Sequence, residues 1–162
     1  MTNILTEAPA PEAMTSKYNL EIKKILVAVD LSPHSEQTAA YAIELAKPFG
    51  AYLTLVHVSS PERANELTGD KGDRFSEPAV VPEEELERLE KKIRRTHPSC
   101  SAHVCVGDPA DKVALMAEIL HADLIVTASH HPGFLARLFG LDQAPRIVHQ
   151  APCPVLVYQE KN

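Results

Sequence analysis

The sequence predicts one α/β domain built on a doubly wound parallel sheet with helices on both faces. Two observations carry this prediction. Short apolar runs alternate along the chain with segments whose apolar residues repeat at helical spacing. The opening run, residues 22–30, is also continuously apolar at its centre, which is typical of a strand covered on both faces.

The first strand is expected at residues 22–30, and the helix after it is expected to begin with Ser32 as cap and Pro33 at its first position. Gly50 supplies a stop after Pro48. The predicted apolar face of this helix consists of Ala39, Ala42, Ile43 and Ala46.

Residues 52–58 form the predicted second strand, and residues 59–81 follow as a segment rich in Pro, Gly, Asp and Glu. We expect this segment to be a mobile loop, with a lid as the alternative. A helix then begins at Pro82. Its narrow apolar stripe and its i,i+4 pairs of acids and bases indicate a solvated surface helix, with the stripe formed by Leu86, Leu89 and Ile93.

The second half of the chain repeats the alternation. The third strand is expected at residues 102–106, followed by a helix capped by Asp108 with Pro109 at its first position. The fourth strand is expected at residues 124–127. Asp142 is expected to cap a last helix ending near Gln150, and residues 154–158 form the fifth strand.

Composition limits the class of protein. The chain has 162 residues, which suits one domain at 22–159 preceded by a flexible extension at 1–21. A net charge of -6 argues against a nucleic-acid surface. No apolar run is long enough for a membrane span, and no secretory signal is recognisable, so we expect a cytoplasmic protein with its three cysteines reduced.

The segment 127–133, Thr-Ala-Ser-His-His-Pro-Gly, follows the fourth apolar run. Open α/β sheets bind ligands, often phosphates, in loops at the carboxyl ends of their strands. The segment therefore has the position of a phosphate loop, but it holds few of the glycines that such a loop uses.

Five segments together resemble the universal stress protein family, of the UspA domain type. They begin at residues 24, 55, 106, 122 and 149 and read KILVAVDLS, LVHV, VGDPA, ADLIV and HQAPCPVLV. This resemblance covers about residues 23–158. It implies a five-stranded, flavodoxin-like sheet of order 3-2-1-4-5, a homodimer, and a role in stress survival rather than one defined reaction.

The resemblance also implies an ATP motif of three spaced glycines and a hydroxyl in some members. Here Ala128 and His131 stand at the first two glycine positions. Gly140 comes one residue early for the third, and Leu141 replaces the hydroxyl. A side chain at His131 crowds a pyrophosphate, and Pro132 removes an amide donor. The motif is therefore degraded.

The nucleoside side of the implied site is better preserved. Val29 and Asp30 lie at the end of the first strand, where relatives that bind ATP contact adenosine. Val58 and Gly107 match positions beside the adenine and the ribose. Each has a structural alternative: Asp30 can simply cap the turn to Ser32, and the other residues serve strand and turn geometry. ATP or AMP is the expected ligand if a nucleotide binds.

Other site chemistries receive less support. His130 and His131 are adjacent, and His57 lies near the end of a neighbouring strand, but no ligand spacing of metal type accompanies them. We expect no metal. Ser129 beside His130 lacks the nucleophile elbow, and no Gly-x-Gly-x-x-Gly follows the first strand, so we expect no catalytic residues.

The sequence thus predicts a cytoplasmic, dimeric stress-response module that signals through unidentified protein partners and binds ATP weakly or not at all. The alternative is a nucleotide sensor or slow ATPase with an atypical phosphate loop. The strand at 154–158 is the expected dimer contact, because an apolar edge strand invites pairing with a second copy. The competing interpretation is that the N-terminal arm covers this edge.

Overall fold

A computed structural model describes residues 20–61, 81–129 and 143–159. These residues form a parallel sheet of five strands in the order β3-β2-β1-β4-β5, which confirms the predicted fold. The strands are β1 Lys24–Ala28, β2 Tyr52–Ser59, β3 Cys100–Val106, β4 Leu124–Ser129 and β5 Val155–Gln159.

Helices cover both faces of the sheet. They are α1 Ser35–Ala46, α2 Pro82–Arg94, α3 Pro109–Leu120 and α4 Gln143–Gln150. Alternate residues of β1 point to opposite faces. Ile25 and Val27 pack with residues of α1 and α2, whereas Leu26 and Ala28 pack with residues of α3.

The first helix begins later than the sequence predicts. Its cap is His34 and its first residue is Ser35, so the placement of Ser32 as cap and Pro33 as first helical residue was wrong. The physical reason lies in the preceding turn. The amide of His34 donates to Ser32 Oγ over 3.3 Å, and the amide of Ser35 donates to the Ser32 carbonyl over 2.9 Å.

Strand ends also shift by a few residues. β1 is shorter than residues 22–30, although Ile22 still packs against the core. β3 begins at Cys100 rather than residue 102 because it pairs with β2 along its full length. β2 extends to Ser59, β4 extends to Ser129, and β5 occupies 155–159 instead of 154–158.

Other local predictions are confirmed. A short 3₁₀ turn, Lys47–Phe49, ends at Gly50, whose φ of 61° is the left-handed conformation that glycine adopts readily. Asp108 caps α3 by accepting from the Asp111 amide, and Pro109 is the first helical residue. The predicted stripe of α2 is buried. The N-terminal extension apart from residues 20 and 21, the segment 62–80, and Asp142 lie outside the described residues.

A carboxylate at the amino end of the sheet fixes the start of β1. Asp123 Oδ2 accepts from the backbone amides of Lys23 and Lys24 over 2.7 and 2.9 Å. This joins the start of β1 to the start of β4, its neighbour on one side. The order of the central strands is thus held by side-chain contacts as well as by the ladder.

Leu26→Ala tests the depth of the core. Leu26 is fully buried, and we expect its truncation to lower the free energy of unfolding by about 2–5 kcal/mol. Leu115 of α3 is 44% exposed, so Leu115→Ala is the matched control, with a loss well under half of that. Urea denaturation measures both, and equal losses would contradict the described burial.

Candidate functional site

The carboxyl end of β1 is the centre of the candidate site. In the order 3-2-1-4-5, β1 lies between β2 and β4, and the chain leaves β1 on one side of the sheet and β4 on the other. Such a switch point opens a crevice outside the strand ends. Residues placed there can meet a ligand without disturbing the core.

Asp30 shapes the turn at this point. Its Oδ1 accepts from the Ser32 amide and from the Ser35 hydroxyl, each over 3.0 Å. The turn-capping interpretation of Asp30 is therefore correct. Oδ2 accepts no hydrogen bond from the described residues, which leaves one carboxylate oxygen for a ligand. Leu31 adopts φ of 62° within the turn, an uncommon conformation for a side chain of its size.

His57 supports the turn from β2. Its ring is buried, and Nδ1 lies 3.0 Å from the Val29 carbonyl. A carbonyl oxygen only accepts, so we assign the proton to Nδ1. The Val29 amide in turn donates to the Val56 carbonyl over 2.9 Å. Both the amide and the carbonyl of Val29 thus hydrogen-bond to residues of β2, and the Val29 side chain lies in the core.

Gly107 follows the last residue of β3 and links the end of that strand to the end of β2. Its amide donates to the Ser59 carbonyl over 3.0 Å, and its φ of 143° lies in a region that side chains rarely adopt. A Cβ at this position would lie 2.7 Å from Lys112 Cε. The glycine is therefore required by the turn itself. Val58, next to Ser59, is half-buried and packs against the core on the face covered by α3.

Two buried hydroxyls flank β1 at this edge. Ser59 was not predicted as a site residue, and Thr127 was named only as part of the segment 127–133. Ser59 ends β2 and Thr127 lies near the end of β4, with exposures of 5% and 3%. Neither Ser59 Oγ nor Thr127 Oγ1 has a hydrogen-bond partner among the described residues. Buried hydroxyls normally have a hydrogen-bond partner, so two without a described partner at the carboxyl ends of the strands that flank β1 indicate a place where a ligand could bind. A search for polar residues at the ends of apolar strands would have found them.

The predicted phosphate positions are described only in part. Ala128 is still a strand residue, paired with Tyr158 of β5, and it is almost fully buried. β4 therefore continues through Ser129, two residues beyond its predicted end at Thr127. His131, Gly140 and Leu141 lie outside the described residues, as do His130 and Pro132.

The cysteines offer little nucleophilic character. Burial raises the pKa of Cys100 to about 11. Burial also raises the pKa of Cys105 and Cys153 above the ordinary range. All three are free thiols that stay protonated at neutral pH, where the thiolate is the reactive form. Within the described ranges, His, Cys, Asp and Glu side chains form no metal-holding cluster of three or more.

A bilayer-spanning segment is likewise not found: no helix in the described ranges combines the length and the apolar character that crossing requires.

The fold and the edge residues define an open α/β domain whose candidate site lies at its switch point. Comparison with known proteins then gives the family. The model of the universal stress protein family matches residues 21–159. The chain belongs to this family.

Named relatives agree with that assignment. "Universal stress protein in QAH/OAS sulfhydrylase 3'region" from Thermus aquaticus is 34% identical over 140 residues, covering 83% of this chain and 97% of the relative. Among solved structures, a universal stress protein in complex with cAMP has a TM-score of 0.60 at 18% identity, covering 86% of this chain and 98% of that one. The Archaeoglobus fulgidus universal stress protein in complex with dAMP has a TM-score of 0.57 at 21% identity, with coverages of 85% and 98%.

Gly107→Ala tests the turn at the end of β3. The strained φ should lower the free energy of unfolding by about 1–3 kcal/mol. Lys112→Ala is the control, because it removes the side chain that a new Cβ would meet. We expect the double variant to remain destabilised relative to Lys112→Ala alone. Full recovery in the double variant, measured by urea denaturation, would show that crowding and not backbone conformation fixes this glycine.

Proposed function

We propose that this universal stress protein is a cytoplasmic homodimeric signalling module that binds an adenine nucleotide weakly, mainly through the nucleoside. The observation that carries this proposal is the Asp30 carboxylate at the switch point. One oxygen holds the turn, and the other accepts nothing from the described residues. A ribose offers two neighbouring hydroxyl donors, which suit a carboxylate oxygen.

The surroundings of Asp30 fit a nucleoside. The buried hydroxyls of Ser59 and Thr127 provide further polar groups at the neighbouring strand ends. Val58 and Gly107 lie along the same edge, and glycine allows close approach of a ligand to the backbone. Two structural neighbours were solved with cAMP and with dAMP, both of which carry a single phosphate.

Weak phosphate binding follows from residue types. Cradles for a triphosphate depend on glycine amides and a hydroxyl or lysine near the helix start. Here Ala128, His131 and Leu141 occupy the matching positions, with Gly140 one residue early. We therefore propose no catalytic role for this loop. The second candidate, a nucleotide sensor or slow ATPase, keeps the same nucleoside contacts but needs a functional cradle from these residues.

The dimer contact that we propose is β5, the edge strand opposite β3. Val157 is 46% exposed there, whereas its neighbour Leu156 packs against the core. Tyr158 stacks on Tyr41 of α1 with ring centroids 4.5 Å apart, which fixes the strand against the body of the domain. A rigid apolar edge of this kind suits pairing with the same strand of a second copy.

Nucleotide titration with Asp30→Asn tests the first part of the proposal. Asparagine keeps Oδ1 for the Ser32 and Ser35 donors but replaces Oδ2 with an amide that donates. We expect nucleotide-free protein to bind AMP and ATP with similar affinity, and the variant to bind about tenfold or more weakly. Calorimetry measures binding, and circular dichroism confirms that the variant is folded.

Three outcomes would count against this proposal. Failure of AMP, ADP and ATP at millimolar concentration removes the nucleotide altogether. Unchanged affinity in Asp30→Asn removes the role of the carboxylate. An ATP affinity more than about tenfold above that of AMP favours the phosphate-loop alternative.

Val157→Lys tests the dimer contact. A buried lysine facing its symmetry mate places like charges across the interface, so we expect light scattering to give half the wild-type mass. Val148→Lys on α4 is the matched control, since Val148 is 62% exposed and lies on a helix rather than on the edge. A dimer that survives Val157→Lys with an intact fold would rule out β5.

A further inference from the structure

The outer edge of β3 presents a regular row of backbone groups. The Leu53 amide donates to the Ser99 carbonyl, and the Gly107 amide donates to the Ser59 carbonyl. Because the amide and carbonyl of one strand residue point to the same side, odd-numbered residues of this strand face β2. The even-numbered residues Ala102, Val104 and Val106 direct their amides and carbonyls outward, whereas the amide of Cys100 donates to the Pro98 carbonyl over 2.9 Å. In the described part of the chain, no strand pairs with that side.

β3 lacks the residues that usually prevent another strand from pairing with an edge strand. Its sequence, CSAHVCV, contains no proline, glycine, lysine or acidic residue. The side chains on its two faces are small or of moderate size, so an added strand meets no bulky obstacle from β3 itself. Val106 at its end is 47% exposed.

Helix α2 covers one face of β3. It packs chiefly on β3, and also on β2, through its buried stripe. The contact of Lys92 with Glu36 marks the flank that faces α1. Helical spacing places Glu83, Glu87 and Glu90, together with Arg94, on the opposite flank, towards the outer side of β3.

A titration effect agrees with this placement. Burial is the largest cause of the raised pKa of Cys100. The negative charge of Glu90 raises this pKa further, and the positive charge of Arg94 lowers it. Both side chains therefore lie near the start of β3. Since α2 runs antiparallel to the strand, Glu87 and Glu83 follow towards its carboxyl end.

The position of α2 bears on which occupant fits. A second copy paired through β3 about a twofold axis would bring a second α2 to the same face of the joined sheet, where the two helices would have to pack side by side. A single extended segment has no helix of its own to clash with α2.

Charge indicates the chemistry of that segment. Lys91 pairs with Glu87 and Arg94 pairs with Glu90 along the helix. No ion pair among the described residues includes Glu83, which lies at the carboxyl end of the groove. The chain as a whole carries a net charge of -6. Both features favour a basic ligand.

We propose that the groove between β3 and the Glu83–Glu87–Glu90 flank of α2 binds an extended basic segment of a partner protein as a sixth strand. Backbone pairing with Ala102 and Val104 supplies affinity, and the acidic flank selects basic side chains on the facing positions. The surface lies at the opposite edge from β5 and does not depend on the nucleotide or on the dimer.

The first test uses amide hydrogen exchange of the free protein. We expect the amides of Ala102 and Val104 to exchange quickly, while those of His103 and Cys105 are protected by β2. Protection of Ala102 and Val104 in the free protein would overturn the proposal, because another segment of this chain or a second copy would then occupy the edge.

The second test uses a labelled seven-residue peptide of alternating valine and lysine, followed by fluorescence anisotropy. We expect binding that protects the amides of Ala102 and Val104, and no binding by the peptide with glutamate in place of lysine. Val104→Pro removes an outward amide and leaves the β2 ladder intact, so its affinity should fall about tenfold or more.

Glu83→Lys provides a second variant that leaves the strand untouched. We expect it to weaken the basic peptide several-fold. Glu84→Lys is the matched control, because it changes the same charge in the same helical turn on the solvent side, and it should bind like wild type. No binding of the basic peptide, equal binding of both peptides, or equal effects of the two glutamate variants would each overturn the proposal.

Discussion

The Asp30 carboxylate is the interaction on which the carboxyl edge of this domain depends. Its Oδ1 accepts from the Ser32 amide and the Ser35 hydroxyl, which turns the chain sharply between β1 and α1. The turn places the start of α1 over the central strands. Because His57 also holds the Val29 carbonyl, the strand end is fixed from β2 and from α1 at the same time. A ligand at this edge therefore meets a preorganised surface, which lowers the ordering cost of binding.

Several features of the fold could be predicted from residue patterns because local and long-range preferences agree there. Buried strands of apolar residues, the Asp108–Pro109 helix start and the Gly50 stop each have a local physical cause. The start of α1 could not be predicted in the same way. Ser32 and Pro33 have strong helix-start preferences, but Asp30 recruits Ser32 into a turn, and this competition depends on geometry that spacing alone does not reveal.

Some residues of the candidate site could likewise be named from the sequence, and others could not. Asp30 and Gly107 were named from the family resemblance, and the structure places both at strand ends, while their ligand role stays a prediction. The hydroxyls of Ser59 and Thr127 were not singled out, because a hydroxyl near the end of a strand is an ordinary sequence feature until its burial and its lack of a described partner are known. The N-terminal amides of β1, held by Asp123, were equally hidden, since the partners are about a hundred residues apart in the chain.

The two edges of the sheet differ in a way that bears on solubility. α2 packs on one face of β3, whereas β5 carries an exposed Val157. A chain with two open apolar edges could join copies without limit into a continuous sheet, which is the geometry of fibre growth. The proposed pairing through β5 would instead stop at two copies, because a twofold contact uses the same strand of both molecules. The helix that covers β3 would then limit growth at the other edge, since a copy joined there would have to accommodate a second α2.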